Sequence, residues 1–455
     1  MYKRKLIKDL INWKNSPTRK PLILRGARQV GKTTLIEMFS SEFDNFIHLN
    51  LDKQKDLEVF EQNNDVQKII QILFLRQNIV LKSNASVLVF IDEVQNSPQA
   101  VWLLRYFYEE ANHIYIIAAG SLLENILDNQ ISYPVGRVEF LILRPFNFQE
   151  FLMAKGNAAA YDLWSTVPFP EYAHQELLEL FTEYSLIGGM PEIVKIYLET
   201  GDLVLAGRAF ESLIAAYLED VEKYSKNPRQ ANIIRFLITT AFKYAGERIK
   251  FEGFGNSNYK SGDIGECFRI LEKTFLLSLI YPTTGTSLPI RESFRKSPRL
   301  QLVDTGIINK ITGIQSQILE NDFIDNIYEG KLAEHIVGQE ILSLQNNVLA
   351  KNCFWVKEKK QSSAEVDYAL QMKNYLIPVE VKLGKTGRLR SLMEFIDLAP
   401  HNYAIRIYSG NLRFEKVTSL KGKEFYLLNL PFYLTGKIYE YFDFMIDKIK
   451  QVEGI

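Results

Sequence analysis

The segment Leu22–Thr34 constrains the fold more than any other part of the chain. Three apolar residues, Leu22-Ile23-Leu24, lead into Gly26-Ala27-Arg28-Gln29-Val30-Gly31-Lys32-Thr33-Thr34. This fits G-x-x-x-x-G-K-[ST] between a strand and a helix, the context that gives the motif its meaning. Gly26 and Gly31 let the backbone turn where side chains would block it, so that successive N–H groups face an anion. The following helix points its positive end at the same place. The expectation is that Gly26–Thr34 binds the phosphates of ATP, with Lys32 reaching the β- and γ-phosphates and Thr33 ligating magnesium.

A strand–loop–helix unit of this kind needs a parallel sheet around it. Short apolar runs at Phe46–Leu49, Val87–Ile91, Tyr115–Ala119 and Val138–Leu143 supply the strands, and helical patterns at Thr33–Phe43, Asp65–Phe74 and Ala100–Glu110 supply the crossovers. The run Val87–Ile91 suits a strand buried on both faces. Asp92 at its end is placed to hold the magnesium shell, and Glu93 beside it to polarise water for attack on the γ-phosphate. The alternative for Glu93 is a helix cap. Ser121 is either a γ-phosphate contact or a turn serine. Arg137 is either an arginine that stabilises transferring phosphate, within its own chain or across to another copy, or a surface residue.

Composition narrows the partners. The chain has 455 residues, too many for one core, with 54 Lys and Arg balanced by 54 Asp and Glu. No overall positive field draws in nucleic acid, so any such contact must be local. Two cysteines, Cys267 and Cys353, give neither a disulfide framework nor a zinc module. No apolar run is long enough to span a bilayer, and the start of the chain turns polar too soon for a signal peptide. A cytoplasmic protein without a membrane partner is expected, and assembly into a homo-oligomer is left open.

Taken together, Gly26–Thr34, Phe90-Ile-Asp-Glu-Val-Gln, Ala119-Gly-Ser, Val135-Gly-Arg-Val-Glu, Pro145-Phe-Asn-Phe-Gln-Glu-Phe and Gly188-Gly-Met-Pro-Glu resemble the prokaryotic AAA-type ATPases that carry a C-terminal domain of uncharacterised function with a nuclease-like fold. The resemblance covers almost the whole chain. It implies an α/β architecture in three parts: an AAA-type P-loop domain (1–157), a helical lid with a winged helix (158–312), and a restriction-endonuclease-like domain (313–455). Between the first two, Pro145–Phe169 suits a linker.

Two further regions bear chemistry. Ile264, Phe268, Leu271 and Phe275 recur at helical spacing and should face a core, leaving Lys260, Arg269 and Lys273 outside. The cluster Arg291, Arg295, Lys296 and Arg299 then offers phosphate contacts to DNA, or is a solvated loop. Near the C-terminus, Glu334, Asp367, Glu380 and Lys382 resemble the E…D…ExK set of PD-(D/E)xK nucleases. If Lys373-Asn374 turns a hairpin, Asp367 falls opposite Glu380, with Lys382 on the same face and Val366, Tyr368 and Leu370 on the other. Opposed carboxylates repel, and a divalent cation held by Asp367 and Glu380 removes that repulsion. Pro378 counts against a central strand. The leading expectation is an ATP-hydrolysing protein acting on DNA with a metal-dependent nuclease site. The alternatives are an ATP-controlled switch that binds DNA or protein and cuts nothing, and a remodeller of protein complexes.

Overall fold

A computed structural model describes residues 2–80, 85–120, 136–314, 330–358, 364–384 and 389–453. Its first region is a five-stranded parallel sheet of β1 (Leu22–Arg25), β2 (Asn45–Asn50), β3 (Val87–Asp92), β4 (Ile114–Ala119) and β5 (Glu139–Ile142) in the order β2-β3-β4-β1-β5. Helices α1 (Ile7–Asn15), α2 (Lys32–Phe39), α3 (Gln54–Glu61), α4 (Val66–Arg76) and α5 (Pro98–Glu110) accompany it. Every residue of β3 is buried, as its unbroken apolar run requires. From β1 the chain crosses to β2 at the edge of the sheet and returns through β3 and β4, and β5 then adds on the far side of β1. The carboxyl ends of β1 and β3 therefore flank β4 on one edge, where ligands bind in open α/β sheets.

The stretch Pro145–Phe169 is not a linker. It holds α6 (Phe148–Lys155) and α7 (Ala158–Ser165). Asn147 and Glu150 close a capping box on α6, satisfying two N–H groups that would otherwise be orphaned. The apolar side chains of Phe148, Phe151 and Leu152 are buried. That pattern outweighs the prolines further on.

The middle region comprises α8 (His174–Ile187), α9 (Pro191–Thr200), α10 (Leu203–Glu219), α11 (Val221–Tyr224), α12 (Pro228–Ala241) and α13 (Ser261–Lys273). Strands β6 (Leu277–Ile280), β7 (Pro282–Thr283) and β8 (Arg299–Leu302) and helix α14 (Thr305–Thr312) follow. β6 and β8 pair antiparallel after α13. Ile264, Phe268 and Leu271 are buried and Lys260 and Arg269 exposed, as the spacing indicates.

The last region has α15 (Gly330–Ser343), β9 (Phe354–Val356), β10 (Glu365–Val366), β11 (Tyr368–Met372), β12 (Tyr375–Lys382), α16 (Arg390–Leu398), β13 (Tyr403–Tyr408), β14 (Arg413–Thr418), β15 (Glu424–Pro431) and α17 (Ile438–Glu453). Its main sheet runs β11-β12-β13-β15-β14. Pro378 is accommodated inside β12. It lies opposite Ala369, whose N–H donates to Cys353 O, and the parallel pairing with β13 begins only at Val379.

One hydrophobic cluster runs from Leu6 to Ile446 through all three regions. Buried polar contacts accompany it. The Glu340 carboxylate on α15 accepts from Phe148 N–H (3.0 Å) and from the Tyr184 hydroxyl (2.8 Å), and Trp164 Nε1 donates to Tyr433 O (2.7 Å). Burial pushes Glu340 up to about 7, against the hydrogen bonds from Tyr184 and Phe148, which lower it. Its folded-state pKa lies above the ordinary carboxylate value. The associated stability is therefore present below the unfolded value near 4.5 and lost as pH rises through about 7. Glu340→Gln should reduce the fall in melting temperature between pH 5 and pH 8, read by thermal unfolding of both proteins. An equal fall in the two would remove Glu340 as its source.

Candidate nucleotide site and C-terminal acidic cluster

The loop between β1 and α2 is held in shape by sterics. Gly26 has φ +148°, and a Cβ there would lie 2.2 Å from Leu143 O. Gln29 (φ +62°) and Gly31 (φ +89°) complete the turn into α2. Lys32 Nζ donates to Gly26 O and Ala27 O, both at 3.0 Å. Burial lowers Lys32 to about 8, with Glu93 and Asp92 acting against the shift and Arg28 adding to it.

Thr33 Oγ1 donates to Asp92 Oδ2 at 2.6 Å, so the two expected ligand oxygens meet at one point, which suits a hard cation. Burial pushes Asp92 up, but the His48 ring 3.7 Å away and the hydrogen bonds from Thr33 and from Glu93 N–H outweigh it and hold its carboxyl below the usual range. Glu93 has φ +53°, strained for a residue with a side chain, and its carboxylate takes a hydrogen bond from Gln95 Nε2. A cavity of about 970 Å³ opens here, with Thr34, Asp92 and Glu93 in its wall.

Arg4, Pro191, Glu192 and Lys195 of this wall had no assigned role in the sequence. Pro191, Glu192 and Lys195 of α9 face the cavity across from Gly31 and Lys32. Arg28 is paired with Asp220 at the end of α10, and the Tyr217 hydroxyl donates to Arg28 O (3.2 Å). Arg4 donates to Val30 O (2.8 Å) and to Arg144 O (2.5 Å), and pairs with Glu150 (3.0 Å). The one sequence signal for these contacts was the motif Gly188-Gly-Met-Pro-Glu, whose chemistry is not visible without its neighbours. Arg137 is half-exposed and pairs with Glu109 of α5 at 2.9 Å. Ser121 lies outside the described residues.

In the C-terminal region the hairpin turns at Lys373-Asn374, with Met372 opposite Tyr375 and Tyr368 opposite Val379. Continued by one residue, that register sets Asp367 against Glu380. Asp367 Oδ2 accepts from Val381 N–H (2.8 Å), and Lys382 Nζ pairs with Glu380 Oε1 (2.7 Å). Val366 does not share the face of Tyr368 and Leu370. The strand breaks at Asp367, and Val366 passes into a separate cluster with Trp355.

A guanidinium stands among these carboxylates. Arg299 of β8, 3% exposed, pairs with Glu334 (3.2 Å), with Glu365 and with Asp367 Oδ1 (3.8 Å), and donates to Asp367 O (3.1 Å). This takes Arg299 out of the basic cluster proposed for DNA and leaves Arg291, Arg295 and Lys296. Burial raises Glu334 and Glu380, and the nearby Asp367 adds to both. Burial also raises Asp367, although Arg299 lowers it. Among the described residues, no group of three or more His, Cys, Asp or Glu is arranged to hold a metal ion.

Residues 18–152 match the family model described as AAA domain, residues 178–318 a domain of unknown function (DUF8612), and residues 329–433 another (DUF4143). The parallel sheet, its loop and this match define residues 18–152 as an AAA-type P-loop ATPase domain. No curated protein matches the chain. Among solved structures, the Walker-type ATPase PABY2304 of Pyrococcus abyssi is similar at 15% identity, over 69% of this chain and 96% of that one, with a TM-score of 0.45. The Orc1 protein of Aeropyrum pernix in complex with DNA is similar at 11% identity, over 71% and 93%, with a TM-score of 0.27. The RuvB Holliday junction branch migration motor of Thermotoga maritima is similar at 16% identity, over 61% and 90%, also at 0.27. Likenesses this distant carry no argument about function. No described helix is long and apolar enough to cross a membrane.

Lys32→Ala should abolish measurable ATP binding, because it removes the cation expected to meet the β- and γ-phosphates. Glu93→Gln should bind ATP as before and hydrolyse it about a hundredfold more slowly, the scale of a lost general base. Equal turnover by Glu93→Gln and the unaltered protein, measured as phosphate release, would end the role given to Glu93.

Proposed function

We propose that this protein is an ATP-driven switch, in which the P-loop domain hydrolyses ATP and the nucleotide state sets how the helical and C-terminal regions sit against it. The carrying observation is the shared wall of the nucleotide cavity. One side is Gly31–Thr34, and the other is the start of α9, which belongs to the region packed on α15. A nucleotide that contacts both sides favours one arrangement over another, and only such differential contact can shift a conformational equilibrium. Lys32 binds the phosphates, and Thr33 and Asp92 would hold magnesium, which would supply positive charge against that developing on the transferring phosphate. Glu93 takes the proton from the attacking water.

We further propose that the C-terminal cluster cuts nothing. Arg299 supplies the positive charge that a divalent cation would otherwise bring to Glu334, Glu365 and Asp367. A metal-dependent nuclease is the second reading, and one observation favours it: Glu380 Oε2 is buried with no hydrogen-bond partner. Under either reading the winged-helix assignment of α12, α13, β6 and β8 makes Arg295 and Lys296 the local contact for DNA. Arg137 beside Glu109 then serves a neighbouring copy in a homo-oligomer or is a surface pair.

Two measurements test this. ATP turnover should proceed with duplex DNA recovered intact on a gel, and calorimetric titration with Mn2+ should find no site that Asp367→Ala with Glu380→Ala removes. Cleavage lost in that double variant would establish the nuclease reading instead. Arg295→Ala with Lys296→Ala should weaken DNA binding and lower its salt slope by about two, roughly one unit per phosphate contact. An unchanged slope returns the patch to a solvated loop.

A further inference from the structure

We infer that Asp304 is a positioning residue for the nucleotide site, acting through the turn Gly188–Met190 to hold the start of α9 against the P-loop. The inference rests on the ATPase reading and deepens it. Asp304 is fully buried just before α14. One of its oxygens does a capping residue's work, with Oδ1 accepting from Ile307 N–H at 3.2 Å. The other has a different task. Oδ2 accepts from Gly189 N–H at 2.6 Å, across 115 residues of sequence. Capping α14 needs only the first, and burying a carboxylate is costly, so the second bond calls for its own explanation.

The turn that Asp304 grips is clamped on both sides. Gly189 O accepts from Phe146 N–H at 2.7 Å. A Cβ on Gly189 would lie 2.1 Å from Phe146 O, and one on Gly188, where φ is +75°, would lie 2.3 Å from Asp304 Oδ1. Both glycines are therefore set by close approach of Phe146 and Asp304. Two residues further, Pro191 opens α9, and its Cγ would stand 3.7 Å from a Cβ placed on Gly31. Pro191, Glu192 and Lys195 face the nucleotide cavity. The path from Asp304 to the site is thus one hydrogen bond, a two-glycine turn and the first turn of a helix. Without the grip, the turn relaxes and a smaller fraction of molecules has α9 in the binding arrangement. Apparent affinity falls by that fraction, while the saturated enzyme keeps its Glu93 chemistry.

Asp304→Ser separates the two roles, because serine still caps α14 but is too short to reach Gly189. In the full chain, ATP turnover should show KM raised about tenfold, the scale of one lost hydrogen bond to a charged group, with kcat within about threefold. A merely structural role would lower the melting temperature and leave KM unmoved, so a folded Asp304→Ser protein with the original KM overturns the inference. Should that variant fail to fold, Pro191→Gly at the partly exposed start of α9 replaces it, and an unchanged KM there overturns the inference equally. Absence of ATP binding by the unaltered protein would instead overturn the ATPase reading itself.

Discussion

The buried pair of Arg4 and Glu150 ties together parts of the chain that must meet for a nucleotide site to exist. Glu150 closes the cap of α6, accepts from Lys5 N–H (2.8 Å) and pairs with Arg4. Arg4 in turn donates to Val30 O at the back of the phosphate loop and to Arg144 O beyond β5. Both side chains are almost wholly buried. An ion pair so placed need not stabilise the fold relative to apolar residues, but removing one partner strands a charge at a cost of about 3–5 kcal/mol. The geometry therefore fixes the N-terminal segment, the loop and α6 in one arrangement.

The rest of the molecule builds outward from that arrangement. Phe146, beside the pair, carries both hydrogen-bonding atoms that meet the turn at Gly189 and the hydroxyl of Tyr184. Tyr184 meets Glu340 and Gln339 on α15. Polar groups buried in this way are expensive unless satisfied, and satisfaction here requires three regions at once. The three regions are thereby joined by one continuous apolar cluster and the buried hydrogen bonds that accompany it.

The C-terminal cluster follows another logic. Four carboxylates, Glu334, Glu365, Asp367 and Glu380, share the charges of Arg299, Lys382 and, at the rim, Arg248. Arg299 also lies 4.7 Å from the centre of the Phe354 ring. A guanidinium offers several donors in a fixed plane, so it can serve three carboxylates from one position. It also fastens β8 of the middle region to the C-terminal hairpin. The cluster thus contributes to how two regions are joined, whatever chemistry it was expected to host.

What the sequence alone determined was local. Gly26–Thr34 announces its loop because spacing and glycine conformation act within one turn. The strands around Val87–Asp92 follow from unbroken apolar runs. The hairpin register of Asp367 and Glu380 follows from counting about Lys373-Asn374. Only the tertiary structure decided the rest. The caps of α6 turned an apparent linker into two helices, because Glu150 gains its partners Arg4 and Lys5 from more than a hundred residues away. Val366 changed face because β10 pairs with β9 rather than β12. Arg299, read as one of a basic run, was drawn into the acidic cluster by carboxylates up to 68 residues further along. Asp304 was silent for the same reason, and the motif Gly188-Gly-Met-Pro-Glu did not show which residue its glycines meet. A hydrogen bond across the fold leaves no periodicity in the chain, and a buried charge shows its partner only when the core has closed around both.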